Sequence, residues 1–268
     1  MPGNLRLRLI SALVAIPLLV LLVGWAPPLI FTGVFYLLII ASLKEYFTMA
    51  FPGRRWEQIW GISFGIAVSA TLIWSDATAT GLWLSVLLVL CFSFYLFLTG
   101  KLEERLMRLA WTLLGCFYLG FLLPHWVLLF RMPAGRAWVF FILIAIMAGD
   151  SVAYFVGQRF GRKKLAPEIS PGKTIEGACG YVAGSVIAGG LAGAFLLPEV
   201  YWLETLLVAL CLSIHGQLGD LFESWLKRVF VVKDSSSLIP GHGGLLDRLD
   251  SLVFPAVFTT AYLKVFHS

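Results

Sequence analysis

At 268 residues, 59% of them hydrophobic and only 13% charged, the chain lacks the polar surface of a soluble domain, for which about 25% charged residues is usual. Its formal charge of +5 comes without a Lys/Arg run interleaved with aromatics, so no nucleic acid partner is expected, and the basic excess reads as that of cytoplasmic loops. Cys91, Cys116, Cys179 and Cys211 lie singly in apolar runs, which points away from disulfides and zinc and towards small buried hydrophobes.

Apolar blocks of roughly the 20 residues needed to cross a bilayer recur along the chain. They predict nine spans, at 9–25, 28–43, 59–75, 79–98, 109–130, 137–157, 177–197, 201–219 and 249–266. The first follows Arg6 and Arg8 and is ordered like a signal peptide. Gly24-Trp25-Ala26-Pro27-Pro28 offers no small-x-small cleavage site, so a retained helix with Pro17 inside it is expected. The eighth runs directly into polar sequence at 216–227, which predicts a helix continuing past the hydrocarbon. With the N-terminus inside, 17 of the 20 lysines and arginines share one face, leaving Arg131, Arg136 and Lys264 on the other. The positive-inside rule then sets N-in and C-out. The expected fold is all-α: a polytopic membrane protein of about nine helices, with residues 1–135 as membrane anchor and 136–268 as catalytic part. Two long polar connections, 158–176 and 227–248, share the cytoplasmic face and add nothing to anchoring, so the chemistry is expected there.

In chain order the first chemical residue is Asp150, inside the sixth span, where an acid is costly and functional by default. Next comes Ile169-Ser170-Pro171-Gly172-Lys173-Thr174-Ile175-Glu176-Gly177. Ser170 reads as a helix N-cap with Pro171 in the first turn, which would set Lys173 and Thr174 where helix amides attract anions. Gly172-Lys173-Thr174 mimics the end of a P-loop, but Pro167 stands where that motif needs glycine.

Beyond the eighth span, Asp220, Glu223, Ser224 and Lys227 fall at i, i+3, i+4 and i+7 on one helix face. Two carboxylates, a hydroxyl and an ammonium in one stripe suit Mg²⁺ and phosphate. The plainer alternative is an i,i+4 ion pair between Glu223 and Lys227 on a solvated face. Asp220, at the end of an apolar run, favours the functional reading. In the following loop, glycines would let backbone N–H groups approach a phosphate. Asp247 and Asp250 stand i, i+3 at the start of the last span with Arg248 between them, where acids also serve as partners of the helix dipole. Lys233, Asp234 and His242, taken alone, would be ordinary loop residues.

The stretch Ser224-x-x-Lys227-Arg228-x₄-Lys233-Asp234-x₅-Pro240-x-His242-Gly243-Gly244-x-x-Asp247-Arg248-x-Asp250 resembles the signature of phosphatidate cytidylyltransferases (CDP-diglyceride synthases), with every fixed residue at its spacing. Ser170-Pro171-x-Lys173-Thr174-x-Glu176-Gly177 resembles a second motif of that family, with Gly172 where members often carry a lysine. Together the two segments cover somewhat under half the chain. The resemblance implies synthesis of CDP-diacylglycerol and pyrophosphate from CTP and phosphatidic acid, in phospholipid biosynthesis. It also implies a homodimer in the bilayer of a bacterial inner membrane, facing the cytoplasm, that depends on Mg²⁺ and a monovalent cation such as K⁺. On this resemblance Asp220 and Asp247 hold the metal and, with Lys227, form the catalytic set, while Glu223, Asp250 and Asp150 are further metal carboxylates. Ser170, Lys173, Thr174, Glu176, Ser224, Arg228, Lys233, His242 and Arg248 would bind the two anionic substrates. Asp220 and Asp247 are expected at the polar edge, carrying little packing. A transporter of a phosphorylated metabolite or metal ion is the rival reading, but transporters place their site near the midplane between repeats, and here polar residues gather on one face. A lipid kinase should show a nucleotide motif, and none is visible.

Overall fold

Backbone polar groups in hydrocarbon must be satisfied within their own segment, so long apolar blocks fold as helices. The structure, a computed structural model, describes residues 3–236, 238 and 243–267, and each of the nine predicted spans falls on helix. The elements are α1 (Gly3–Trp25), α2 (Pro28–Ala50), α3 (Arg55–Trp74), α4 (Ala77–Leu96), α5 (Leu102–Gly115), a π-helical turn (Cys116–Phe121), α6 (His125–Phe130), α7 (Gly135–Phe160), β1 (Lys164–Ala166), β2 (Ser170–Thr174), α8 (Ile175–Leu196), α9 (Trp202–Val229) and α10 (Leu246–Phe266). Among the described residues seven helical stretches are long and apolar enough to cross a membrane: α2, α4, the α5-to-α6 run, α7, α8, α9 and α10. The protein is an all-α, polytopic membrane protein.

Local sequence sets several of the ends. Asp76 caps α4 by accepting the Ala79 N–H at 2.7 Å, replacing one partner that a helix start lacks. The fifth predicted span is not one straight helix. Its hydrogen bonds widen through the π-helical turn, where the Leu122 N–H reaches Phe117 O at 3.1 Å. Pro124, which has no N–H to continue the ladder, then separates it from α6. The predicted continuation of the eighth span is present, since α9 runs 28 residues to Val229. At 1.5 Å per residue that is about 42 Å, against about 30 Å of hydrocarbon.

The chain forms two compact units, Thr32–Val127 and a second made of Met1–Phe31 with Leu128–Ser268. In the first, aromatic side chains fill the interior, with Trp60 stacked on Phe94 at 4.2 Å and Tyr46 edge-on to Phe47. The second holds α7 to α10, and α1 groups with them. The Arg136 guanidinium on α7 donates to Val23 O, Gly24 O and Ala26 O at 2.7–3.0 Å, closing the carbonyls that the end of α1 leaves open. Helices α7 and α8 approach closely because Gly180 and Gly184 face Val156 and Val152; a Cβ there would come within 2.9 and 2.8 Å of those side chains. Without a hydrophobic force between helices in lipid, such close van der Waals contact holds them together. Between α7 and α8 the chain makes a small antiparallel hairpin, with Lys164 opposite Thr174 and Ala166 opposite Ser170.

Candidate active site

The hairpin overturns one expectation. Ser170 does not cap α8; it opens β2, because the 170–174 backbone finds its partners across the hairpin and the Ile175 N–H goes on to Lys163 O at 2.9 Å. The cap is Thr174, whose Oγ1 accepts the Gly177 N–H at 3.1 Å. A Ser-Pro pair is a local helix-start signal, and strand pairing with residues four to ten positions away overrides it. Lys173 is therefore a strand residue. Glu176, in the first turn of α8, turns back onto the hairpin, accepting the N–H groups of Arg162 and Lys163 at 3.0 and 3.3 Å. Arg228 ties the same hairpin to α9 through an Nε–H bond to Ile169 O at 3.1 Å.

Beside the hairpin lies a cavity of about 580 Å³ whose walls include Asp150 and Tyr154 of α7, Lys164, Lys173 and Thr174, Tyr181 of α8, and Gln217 and Asp220 of α9. Across it Lys173 Nζ meets Asp220 Oδ2 at 2.7 Å, both side chains keeping about a quarter of their surface exposed. Ser224 Oγ donates to the other Asp220 oxygen at 3.3 Å. Arg248 and Lys173 both lie within electrostatic reach of Asp150, as does Asp220.

The other half of the predicted helix stripe faces elsewhere. Lys227 Nζ stands 2.5 Å from Glu223 Oε2 and 2.6 Å from Asp247 Oδ1, and all three side chains are nearly buried. The i,i+4 pair anticipated as a surface alternative thus exists, but inside the protein, with Glu223 at 0% exposure. Glu223 Oε1 has no hydrogen-bond partner among the described residues. Asp247 is not a lightly packed edge residue. Its Oδ2 accepts the Ser235 N–H and Oγ–H, each at 3.0 Å, and the Gly244 N–H at 2.8 Å, so it ties Ser235 and Gly244 to the start of α10. Asp250 lies where α9 and α10 touch: a Cβ at Gly219 would sit 2.3 Å from Asp250 O, so only glycine admits this approach. Its carboxylate is within reach of Asp220 and Glu223. Lys233 is exposed on the loop, and His242 lies outside the described residues. Tyr181, Gln217 and Lys164 were not singled out from sequence. Gln217, one turn before Asp220 at the end of an apolar run, carried the one visible signal.

Lys173 of one motif segment therefore meets Asp220, one helical turn ahead of the other segment, at the cavity. The sequence profile of the cytidylyltransferase family matches residues 6–266. The chain belongs to the cytidylyltransferase family. It is 34% identical to the phosphatidate cytidylyltransferase of Synechocystis sp. over 93% of both chains, and 32% identical to that of Staphylococcus saprophyticus over 93% of this chain and 95% of the relative. It is 40% identical to the phosphatidate cytidylyltransferase of Bacillus subtilis, where the match spans 68% of this chain and 66% of the relative. With a Brucella abortus relative of the same name it shares 43% identity across 58% of that protein's length.

The Mg²⁺ implied by the resemblance can be weighed against the donors present. Asp150 and Asp220 bring hard carboxylate oxygens to the same cavity wall, and one or two carboxylates beside substrate phosphates is the usual Mg²⁺ set. Glu223 and Asp247 face Lys227 instead. Among the described residues no three His, Cys, Asp or Glu side chains gather as an ion site by themselves. The donors fit an ion shared with substrate.

Proposed function

We propose that the protein is a nucleotidyltransferase that joins CTP to phosphatidic acid, giving CDP-diacylglycerol and pyrophosphate for phospholipid biosynthesis. The observation that carries the reading is the cavity where Lys173 of one motif segment meets Asp220, one helical turn ahead of the other. A phosphatidate oxygen attacks the α-phosphorus of CTP in line and pyrophosphate leaves; such transfers demand placement and charge neutralisation more than covalent help. Lys173 and Lys164 offer the cavity its cations, with Arg248 nearby. Arg228 and Glu176 keep the hairpin that carries Lys173 in place. Lys227, between Glu223 and Asp247, keeps a positive charge at the head of α10, while the exposed Lys233 adds a cation on the loop and His242 is a further candidate for substrate binding from its place in the motif. Asp150 and Asp220 are the acids that would hold Mg²⁺, which would supply charge neutralisation on the phosphates and leaving group, with Asp247, paired to Lys227, beside them. Asp250 and Glu223 lie next to them. A monovalent cation such as K⁺, a homodimeric state, an inner-membrane location and an N-in orientation that puts both polar loops in the cytoplasm complete the proposal. The orientation rests on the lysine and arginine bias. A membrane fold suits the substrate, whose tails stay in the bilayer while its phosphate meets soluble CTP.

The deciding experiment incubates the purified protein with Mg²⁺, labelled CTP and phosphatidic acid and identifies the product by mass. CDP-diacylglycerol is expected only when all three are present. A phospholipid product from ATP and diacylglycerol, with none from CTP, would replace this reading with a lipid kinase.

A further inference from the structure

Tyr181 has no place in either motif, yet its hydroxyl occupies the point where α7, α8, α9 and α10 come together. The residue is 4% exposed, and its Oη has no hydrogen-bond partner among the described residues. Two glycines make room for it. A Cβ at Gly149 would lie 2.8 Å from the ring, and a Cβ at Gly216 would lie 2.5 Å from Oη and 3.4 Å from Ser251 O. Each neighbour flags an acid: Gly149 precedes Asp150, Gly216 lies one helical turn before Asp220, and Ser251 follows Asp250. All three carboxylates act electrostatically on the phenol, which also lines the cavity.

A buried hydroxyl left without a partner costs about 1–3 kcal/mol, and phenylalanine would fill the same space without that cost. The oxygen therefore calls for an acceptor, and Asp150 and Asp220 line the same cavity. We propose that Tyr181 is a positioning residue: its hydroxyl donates a hydrogen bond to the Asp150 and Asp220 carboxylate pair that lines the same cavity and holds the pair in the orientation that binds the divalent cation. The proposal rests on the reading of those acids as cation ligands. Residues that orient a ligand from behind are typically worth about 10–100-fold in metal affinity.

The test uses the full-length protein in lipid nanodiscs and Tyr181→Phe, which removes one oxygen. Mn²⁺ binding is read by electron paramagnetic resonance without nucleotide or phosphatidic acid, alongside turnover as a function of Mg²⁺ and the melting temperature. Mn²⁺ affinity should fall about tenfold or more, the Mg²⁺ requirement should rise in parallel, and the melting temperature should not drop. Unchanged Mn²⁺ affinity with a raised KM for CTP or phosphatidic acid would assign the phenol to substrate and overturn the proposal. Ser185→Ala is the control, since Ser185 Oγ is equally buried and unpartnered one turn further along α8 but does not line the cavity. An equal affinity loss there would mean packing, not positioning. Should Tyr181→Phe fail to fold, Gly216→Ala keeps the hydroxyl but displaces it, and the same loss is expected. If the unaltered protein makes no CDP-diacylglycerol while Tyr181→Phe still weakens Mn²⁺ binding, the substrate reading falls and the positioning role stands. If the unaltered protein binds no Mn²⁺, the positioning role falls.

Discussion

In the Thr32–Val127 unit, Glu57 is held by Arg54 at 3.3 Å and Arg108 at 3.2 Å, and Arg108 reaches on to Glu104 at 2.9 Å. In the unit of α7 to α10, Lys173 meets Asp220 at 2.7 Å on the wall of a cavity. Both are ion pairs between chain segments, and access separates them. Glu57 and Arg108 keep little more than a tenth of their side-chain surface exposed, so neither can exchange its partner without leaving a buried charge. Asp220 and Lys173 keep about twice that exposure and face open volume. A substrate phosphate can take the ammonium, and a cation the carboxylate, with no charge stranded. One group closes a structure and the other holds a site ready.

Substitutions can break this contrast. The largest effect is expected for Asp220→Asn, which keeps the shape and removes the charge. Turnover should fall by two to three orders of magnitude, about 3–4 kcal/mol of transition-state stabilisation, with the melting temperature nearly unchanged. Normal turnover in a folded Asp220→Asn protein would remove this residue from the metal site. Asp247→Asn should lose activity on a similar scale and also melt earlier, because its carboxylate gathers Lys227, Ser235 and Gly244. A loss of activity with an unaltered melting temperature would contradict that structural part. Turnover and melting, read on the same preparation, separate the two residues.

Glu57→Gln should show the reverse pattern. Stripping Arg108 of a buried partner costs up to about 3–5 kcal/mol when no other acid is present; with Glu104 still paired, about 2 kcal/mol is expected as a lower melting temperature, at unchanged turnover per folded molecule. A selective loss of turnover would mean that the closed group serves the chemistry after all. The smallest effect is expected at Val231, a β-branched residue at φ 58° that ends α9, with its N–H on Arg228 O and the next N–H on Lys227 O. A left-handed conformation costs a non-glycine residue about 1–2 kcal/mol, and this side chain is 90% exposed. Val231→Gly should therefore raise stability by about 1 kcal/mol and leave turnover alone. A fall in turnover instead would show that the strained valine serves the neighbouring site.

The membrane helices were legible in the chain because nothing but a helix satisfies a long apolar backbone in lipid, and that pattern is local. The run-on of α9 to Val229 was legible for the same reason, its polar stretch keeping helical spacing from Asp220 to Lys227. The identities of the charged residues in the two loops were legible as a motif. Their partners were not. Spacing along α9 placed Asp220, Glu223 and Lys227 in one stripe, but Lys173 on β2 draws Asp220 one way while Asp247 on α10 draws Lys227 the other. Ser170 carried a valid helix-start signal that strand pairing overrode, because hydrogen bonds between segments outweigh a single local cap. Tyr181 looked like any apolar-face aromatic in α8 until Gly149 and Gly216 proved to lie against it. Residue types and helical period follow from the chain itself, whereas which charges neutralise one another depends on distances between helices, and only the packed structure sets those.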